Sequence, residues 1–270
     1  MTDSFTADRL DPIPFVEAEV NYIHPDCEAG VLYEEQRESS TLVFDPRTVR
    51  VRDGRGERFS LAEDGFQLVH EPASANLLDP DQVHGAYAEQ MAELVKGLTG
   101  ASEVWVFNDV TRLEDQPQAN KPAHSVHVDF DRETLEGFIR AMHPEPERVL
   151  TKRFANINLW RPIAPVERAP LAVCEGASIA RGDLRTGIIR MRPDEPMPIA
   201  MSGFNIAHNP AHRWWWFPHM QPDEVLVFTL YDTDPDAPQF TAHTAFEDPT
   251  SPPDAKPRQS LEIRTIAVFD

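Results

Sequence analysis

The stretch Pro122-Ala123-His124-Ser125-Val126-His127-Val128-Asp129-Phe130 decides how the rest of this chain is read. His127 and Asp129 stand two residues apart, and in an extended strand such side chains project from one face. An imidazole and a carboxylate aimed together are two of the three groups in the 2-His-1-carboxylate triad, which holds non-haem Fe(II) and leaves coordination positions open. The plainer alternative is two polar residues near a strand end, so a distant third ligand has to decide. His243, 116 residues further on in Phe240-Thr241-Ala242-His243-Thr244-Ala245-Phe246, is the candidate. His124 competes as first ligand, but only His127 forms His-x-Asp.

Fifteen residues beyond His243 comes Arg258-Gln259-Ser260, with Leu261 to Phe269 continuing as a terminal strand. In a strand that starts by Arg258, the side chains of Arg258, Ser260, Glu262 and Arg264 share one face. An arginine fork matches both oxygens of a carboxylate, and a serine hydroxyl adds a directed hydrogen bond. Arg258 and Arg264 both qualify; Arg258 is preferred because it alone sits in Arg-x-Ser. Upstream, Ala155 to Trp160 alternates and puts Asn156 and Asn158 on one face with Trp160. Polar side chains on an inward face need partners, so both asparagines are candidates for holding a ligand. Arg161, fixed before Pro162, is read either in the pocket or clamping a loop carboxylate.

Composition bounds the class. The 270 residues carry 25 Lys+Arg against 45 Asp+Glu, a formal charge of −20, which argues against a nucleic-acid surface and against an anionic membrane. Cys27 and Cys174 form neither a metal spacing nor a disulfide framework. Met1 to Leu10 is polar and acidic, unlike a secretory leader, and no apolar run is long enough to span a membrane. A reducing, cytoplasmic setting is the expectation.

Along the chain, residues 1–30 read as irregular. Ser40 to Phe44 reads as a strand ended by Asp45-Pro46, Thr48 to Val51 as a second and Phe66 to Val69 as a third, together an extra sheet beside the main domain. A helix opens at Asp79-Pro80-Asp81, with Val83, Tyr87, Met91, Leu94, Val95 and Leu98 as its apolar stripe and Gly100 as its stop. Val104 to Asp109 reads as a strand, Thr111 to Lys121 as a loop, and Arg132 to Met142 as a helix ended by His143-Pro144. Further strands are expected at Leu171–Glu175, Asn205–His208, Arg213–Phe217, Val225–Tyr231 and Leu261–Phe269. Four aromatics, Trp214 to Phe217, are divided between core and pocket wall. No Gly-x-Gly-x-x-Gly turn, P-loop or Gly-x-Ser-x-Gly elbow is present. The chain is therefore expected to be mainly β: a double-stranded β-helix of the jelly-roll or cupin-like kind with helical cover. Residues 1–100 form an N-terminal extension with short strands and a bracing helix, packed on a catalytic core at 101–270.

His-x-Asp, a distant His and Arg-x-Ser together resemble the Fe(II)/2-oxoglutarate-dependent oxygenases. More closely, Ala155 to Ile163, Pro170 to Cys174, Asn209 to Phe217, Pro222 to Phe228, His243 to Pro249 and Arg258 to Arg264 resemble a bacterial and fungal oxygenase family. That family includes the cephamycin 7α-methoxylation component and gibberellin-desaturase-like proteins. The resemblance implies that His127, Asp129 and His243 hold Fe(II), and that Arg258, assisted by Ser260, takes the distal carboxylate of 2-oxoglutarate. It further implies oxidation of an unactivated C–H bond of a small specialised metabolite with O2, yielding succinate and carbon dioxide. Hydroxylation is the first expectation; desaturation and cyclisation begin with the same hydrogen abstraction. Two rival readings are a cupin-like iron enzyme that does without 2-oxoglutarate and a non-catalytic component of a biosynthetic enzyme pair. A homodimer, through a β edge or the N-terminal segment, and a partner enzyme are both left open.

Overall fold

The computed structural model describes residues 13–33, 36–194 and 201–270, so the reading of Met1 to Leu10 lies outside the described residues, as does that of Pro12. Fourteen strands are assigned among the described residues. In chain order they begin with β1 (Phe15–Ile23), β2 (Ala29–Tyr33), β3 (Phe44–Asp53), β4 (Phe66–His70), β5 (Glu103–Leu113), β6 (His127–Val128) and β7 (Phe154–Pro162). They continue with β8 (Leu171–Cys174), β9 (Leu184–Arg190), β10 (Met201–Ile206), β11 (Trp214–Trp216), β12 (Glu224–Asp232), β13 (Ala242–Ala245) and β14 (Gln259–Val268). Nine pair in the order β1-β3-β11-β8-β13-β6-β10-β9-β2, and five in the order β4-β12-β7-β14-β5. The two mixed and antiparallel sheets curl into a half-barrel of the double-stranded β-helix type, as expected from the succession of short strands and proline-rich turns.

Alternation on the smaller sheet sorts its two faces. Leu226, Phe228 and Trp160 enter the core between the sheets, with Val173 and Trp215 from the larger one. Val225, Val227, Leu159, Leu261 and Ile263 point the other way, onto a helix. That helix is built in steps: α1 (Pro80–Gln82), a kinked π-type turn at Val83–Tyr87, then α2 (Ala88–Thr99). Asp79 caps the start and Gly100, at φ 71°, ends it in the left-handed conformation that glycine adopts without strain. α3 (Arg132–Met142), capped by Asp131, buries Leu135 and Ile139 against Phe107, Phe154 and Ile266, and α4 (Pro146–Leu150) follows it.

Several expectations are corrected. The first 30 residues are not irregular throughout: Phe15–Ile23 is a nine-residue strand. Asp45-Pro46 lies inside β3 instead of ending a strand, and Ser40 to Val43 precedes it without strand structure. Pro46 faces Asn21 of β1, while β11 reaches β3 only at Val51 to Asp53. On its other side Pro46 has no ladder to interrupt, the position where a strand tolerates proline. The early strands form no separate sheet: β1 and β3 extend the larger sheet and β4 pairs with β12. β5 runs through the expected loop as far as Leu113 because β14 pairs with it along its length. The aromatic run Trp214 to Phe217 is wholly core, with Trp214 donating to Tyr22 and Trp215 to Glu175.

Arg161 is set apart from the other ligand-holding candidates. It is odd-numbered on β7, so it faces the helix instead of the barrel interior. Its Nε donates to the Tyr87 hydroxyl at 2.7 Å and its Nη1 to the Pro222 carbonyl at 2.8 Å. It ties the π-type turn to the sheet. Tyr87→Phe would leave a fully buried guanidinium N–H without its acceptor, and should cost about 1–3 kcal/mol. Denaturant unfolding checks this; an unchanged midpoint would contradict the clamp.

Candidate active site

β6 and β13 lie side by side with His127 and His243 in register. Residues paired across a ladder project to the same side, and the two imidazoles stand 4.3 Å apart between ring centroids. After Val128 the chain leaves the sheet and folds over Gly203, where a Cβ would meet the Asp129 carbonyl oxygen at 2.3 Å. That turn brings Asp129 back toward both histidines. Its Oδ1 lies 3.3 Å from His127 Nε2 and 3.8 Å from His243 Nε2.

Each of the three groups is oriented from behind. His127 Nδ1 donates to the Ser125 carbonyl at 2.7 Å and His243 Nδ1 to the Thr241 carbonyl at 3.3 Å. This leaves each Nε2 lone pair for the centre, the arrangement usual among metal-binding histidines. Asp129 Oδ2 forms an ion pair with Arg264 Nη2 at 3.1 Å and accepts a hydrogen bond from Asn158 Nδ2 at 3.2 Å, so Oδ1 is the oxygen left for a metal. One ligand atom from each residue lies within 4.8 Å of the others, a set that could hold an ion. Two imidazole nitrogens and one carboxylate oxygen on one side of an open space suit ferrous iron.

The charges behind Asp129 alternate. Arg264 reaches both Asp129 and Glu262, and Glu262 meets Arg112 Nε at 2.8 Å. Arg264 Nη1 also donates to Asn108. Burial works to raise the Asp129 carboxyl, but Arg264 and the hydrogen bond from His127 hold it well below the usual carboxylate range. Burial is the largest single influence on His127 and opposes its charge, but the Asp129 hydrogen bond, the Asp129 charge and the Ser125 carbonyl together outweigh it, so that imidazole is raised. Burial and the neighbouring His127 charge lower His243 to about 4.

Arg258 and Ser260 lie on the same face of the β14 segment, both buried. Arg258 Nη1 donates to the Ala169 carbonyl, its guanidinium lies over the Trp160 ring at 5.4 Å, and no carboxylate pairs with its side chain among the described residues. Burial, with the Arg112 charge, lowers it to about 9. Arg258 Nε, Ser260 Oγ, Trp160 Nε1 and Asn158 Oδ1 are buried polar atoms without partners among the described residues. Such a cluster fits an oxygen-rich anion, because buried polar atoms left unpaired are costly. Asn156 is a weaker candidate: its Nδ2 donates to the Thr265 carbonyl, a bond within the sheet. His124 stands apart from the three converging groups, near Glu247 at 3.8 Å.

A cavity of about 450 Å³ opens in front of His127 and Asp129, walled by β2, β9, β10 and the start of β3. Arg112 and Asn205, which line it, were not singled out from the sequence. Arg112 fell in the expected loop; Asn205 carried only the polar end of a short strand.

This architecture and donor set define a non-haem iron oxygenase. Residues 20–269 match the family described as Oxidoreductase/YMDC permease-like domain. Among the described residues no helix is long and apolar enough to cross a membrane. The chain is 30% identical to the hydroxylase/desaturase efuI of Hormonema carpetanum, covering 95% of this chain and 96% of that protein. It is 33% identical to the alpha-ketoglutarate-dependent dioxygenase phiK of a fungal species over 84% of this chain and 85% of that protein. A solved structure of the iron and alpha-ketoglutarate-dependent endoperoxidase NvfI superposes with a TM-score of 0.86 at 28% identity, covering 97% of this chain and 99% of that one. The chain belongs to this family, whose relatives here are fungal hydroxylases and dioxygenases, and is an Fe(II)/2-oxoglutarate-dependent oxygenase.

A ring nitrogen must be free of its proton to bind a metal. His127 is raised, so Fe(II) affinity should fall as pH drops through its titration, by about tenfold per unit below it. His243, at about 4, stays neutral through that window. The iron-free fold responds in the opposite sense, gaining from the His127–Asp129 pair at low pH and losing that gain as pH rises through the raised value. Fe(II) titrations between pH 6 and 8 check the binding half; a flat affinity would contradict it.

Proposed function

We propose that His127 Nε2, Asp129 Oδ1 and His243 Nε2 hold Fe(II), and that Arg258 with Ser260 seats the distal carboxylate of 2-oxoglutarate. The single observation carrying the iron assignment is the divided Asp129 carboxylate, with one oxygen ion-paired to Arg264 and hydrogen-bonded by Asn158 and the other turned to both imidazoles. Both arginines keep a buried Nε without a partner, but the Arg264 fork is already engaged by Asp129, Glu262 and Asn108, whereas the Arg258 side chain donates only to the Ala169 carbonyl and meets no carboxylate among the described residues. That contrast favours Arg258 for the cosubstrate. Asn158, besides holding Asp129, keeps a buried Oδ1 without a partner.

With iron, 2-oxoglutarate and dioxygen bound, the centre supplies an oxidant for an unactivated C–H bond, with succinate and carbon dioxide as coproducts. The chain's own residues do the rest. Arg264 and Asn158 fix the carboxylate, Ser125 and Thr241 fix the imidazoles, and the cavity wall holds the substrate away from water. The substrate is a small specialised metabolite, and hydroxylation is the reaction we assign. The named activities of the relatives, hydroxylase/desaturase and endoperoxidase, place desaturation and endoperoxide formation beside it. Kinship with the cephamycin and gibberellin-desaturase branch rests on the sequence motifs alone. A cytoplasmic setting rests on cysteine usage, and a homodimer or partner enzyme on no contact seen here. Residues 1–100 and 101–270 are taken as one catalytic unit, supported by the pairing of β1, β3 and β4 with core strands.

Anaerobic addition of Fe(II) and 2-oxoglutarate to metal-free protein should give the weak visible metal-to-keto-acid charge-transfer band. Asp129→Ala should abolish the band by losing iron. Arg258→Ala should keep iron and need roughly 10–100-fold more 2-oxoglutarate, the loss expected for a charge-assisted contact of about 1.5–3 kcal/mol. Unchanged iron affinity in the first variant, or unchanged keto-acid affinity in the second, removes the corresponding assignment.

A further inference from the structure

Across β2, β9 and β10 three glycines stand in one row: Gly30 pairs with Gly187, and Gly187 with Gly203. Asn205, two residues beyond Gly203, pairs with His127. Paired residues project to the same side of a sheet and so do residues two apart. The glycine row therefore makes a trough on the side that carries His127. Each glycine is overlaid by a different group. A Cβ on Gly30 would meet Leu42 Cδ2 at 2.3 Å, one on Gly187 would meet Asn205 Nδ2 at 2.5 Å, and one on Gly203 would meet the Asp129 backbone.

The Asn205 carboxamide thus lies over Gly187, in the cavity wall beside the iron site. Asn205 is only 8% exposed, yet its side chain makes no hydrogen bond to any described residue. On the same side of the sheet it pairs with His127 and Arg185, the latter occupied by the Pro25, Gly182 and Leu184 carbonyls, while Leu32, Ile189 and Met201 give the cavity its apolar wall. An asparagine offers two N–H donors and a carbonyl acceptor, and here the protein takes up neither while the residue lines the cavity. The two cations of the lining, Arg112 and Arg264, are engaged by Glu262 and Asp129.

We propose that Asn205 anchors the substrate, pairing its carboxamide with a hydroxyl or carbonyl oxygen of an otherwise apolar, uncharged small molecule. The proposal rests on the reading above, in that it takes this cavity as the substrate site. The anchor stands next to His127 in register, so it fixes which C–H bond of a rigid substrate faces the metal. Gly187 is its permissive half, since any side chain there would take the space of the amide.

Asn205→Leu keeps the volume close while removing both polar atoms. In metal-free, ligand-free protein it should leave the thermal midpoint within about 2 °C of wild type. An asparagine with a structural role would lower it. In protein loaded with Fe(II) and 2-oxoglutarate under anaerobic conditions, calorimetric titration with 1-adamantanol and adamantane compares two rigid probes that differ by one hydroxyl. Wild type should prefer the alcohol, and the variant should lose that preference by about tenfold, with adamantane bound as well or better. A midpoint lowered by more than about 2 °C, no binding of 1-adamantanol to wild type, or an equal loss for both probes would overturn the proposal. The visible charge-transfer band separates the two readings. Its absence in wild type removes the oxygenase assignment of this site, whereas an intact band in both proteins with an unchanged probe preference removes Asn205 alone.

Discussion

The site depends on how one buried carboxylate is shared. Asp129 is held from behind through Oδ2 and left open through Oδ1, and that division exists because Arg264 and Asn158 approach it from one side. Arg264 is itself neutralised by Glu262, and Glu262 by Arg112, so negative and positive groups alternate from β6 across β14 to β5. A buried pair of this kind adds little net stability, but removing one partner strands the other, at about 3–5 kcal/mol. The chain of charges is therefore best understood as fixing geometry. It sets which oxygen of Asp129 is available before any metal arrives.

The rest of the barrel serves that geometry by strand register. His127 and His243 face the same side because β6 and β13 pair at those residues. Asn158, Trp160, Ser260, Glu262 and Arg264 share a face because β7 and β14 place Arg264 opposite Asn158 and Glu262 opposite Trp160. The same strands turn Leu159, Leu261 and Ile263 toward α2, so one alternation supplies both the polar interior and the apolar seat of the helix. A slip of one residue in β14 would exchange the two sets.

Much of this was legible before any coordinates. His-x-Asp, the even-numbered face of the terminal strand and the alternation at Asn156 to Trp160 all follow from a period of two, which is the strongest signal in a β protein. Asn158 and Arg264 could be placed on the inward face, but their shared hold on Asp129 could not, since it depends on a turn that folds Asp129 over Gly203. Arg161 was left between the pocket and a loop clamp because Pro162 beside it read as a turn, although the alternation through Asn156 to Trp160 turns it to the opposite face. Arg112 was hidden by Asn108-Asp109, two polar residues that ended the apparent strand while β14 carried the real one onward. Asn205 and the glycine row give no local signal at all, because three glycines far apart in sequence become one feature only when β2, β9 and β10 are in register.

The central claim, that Asp129 presents Oδ1 to a metal shared with both histidines, is tested most directly by anomalous diffraction at the iron edge. Crystals would be grown or soaked anaerobically with Fe(II) and 2-oxoglutarate. The account predicts one strong peak bounded by His127 Nε2, His243 Nε2 and Asp129 Oδ1, with Asp129 Oδ2 still bonded to Arg264. A peak coordinated by His124, or one bound through Asp129 Oδ2 after Arg264 has swung away, would contradict it.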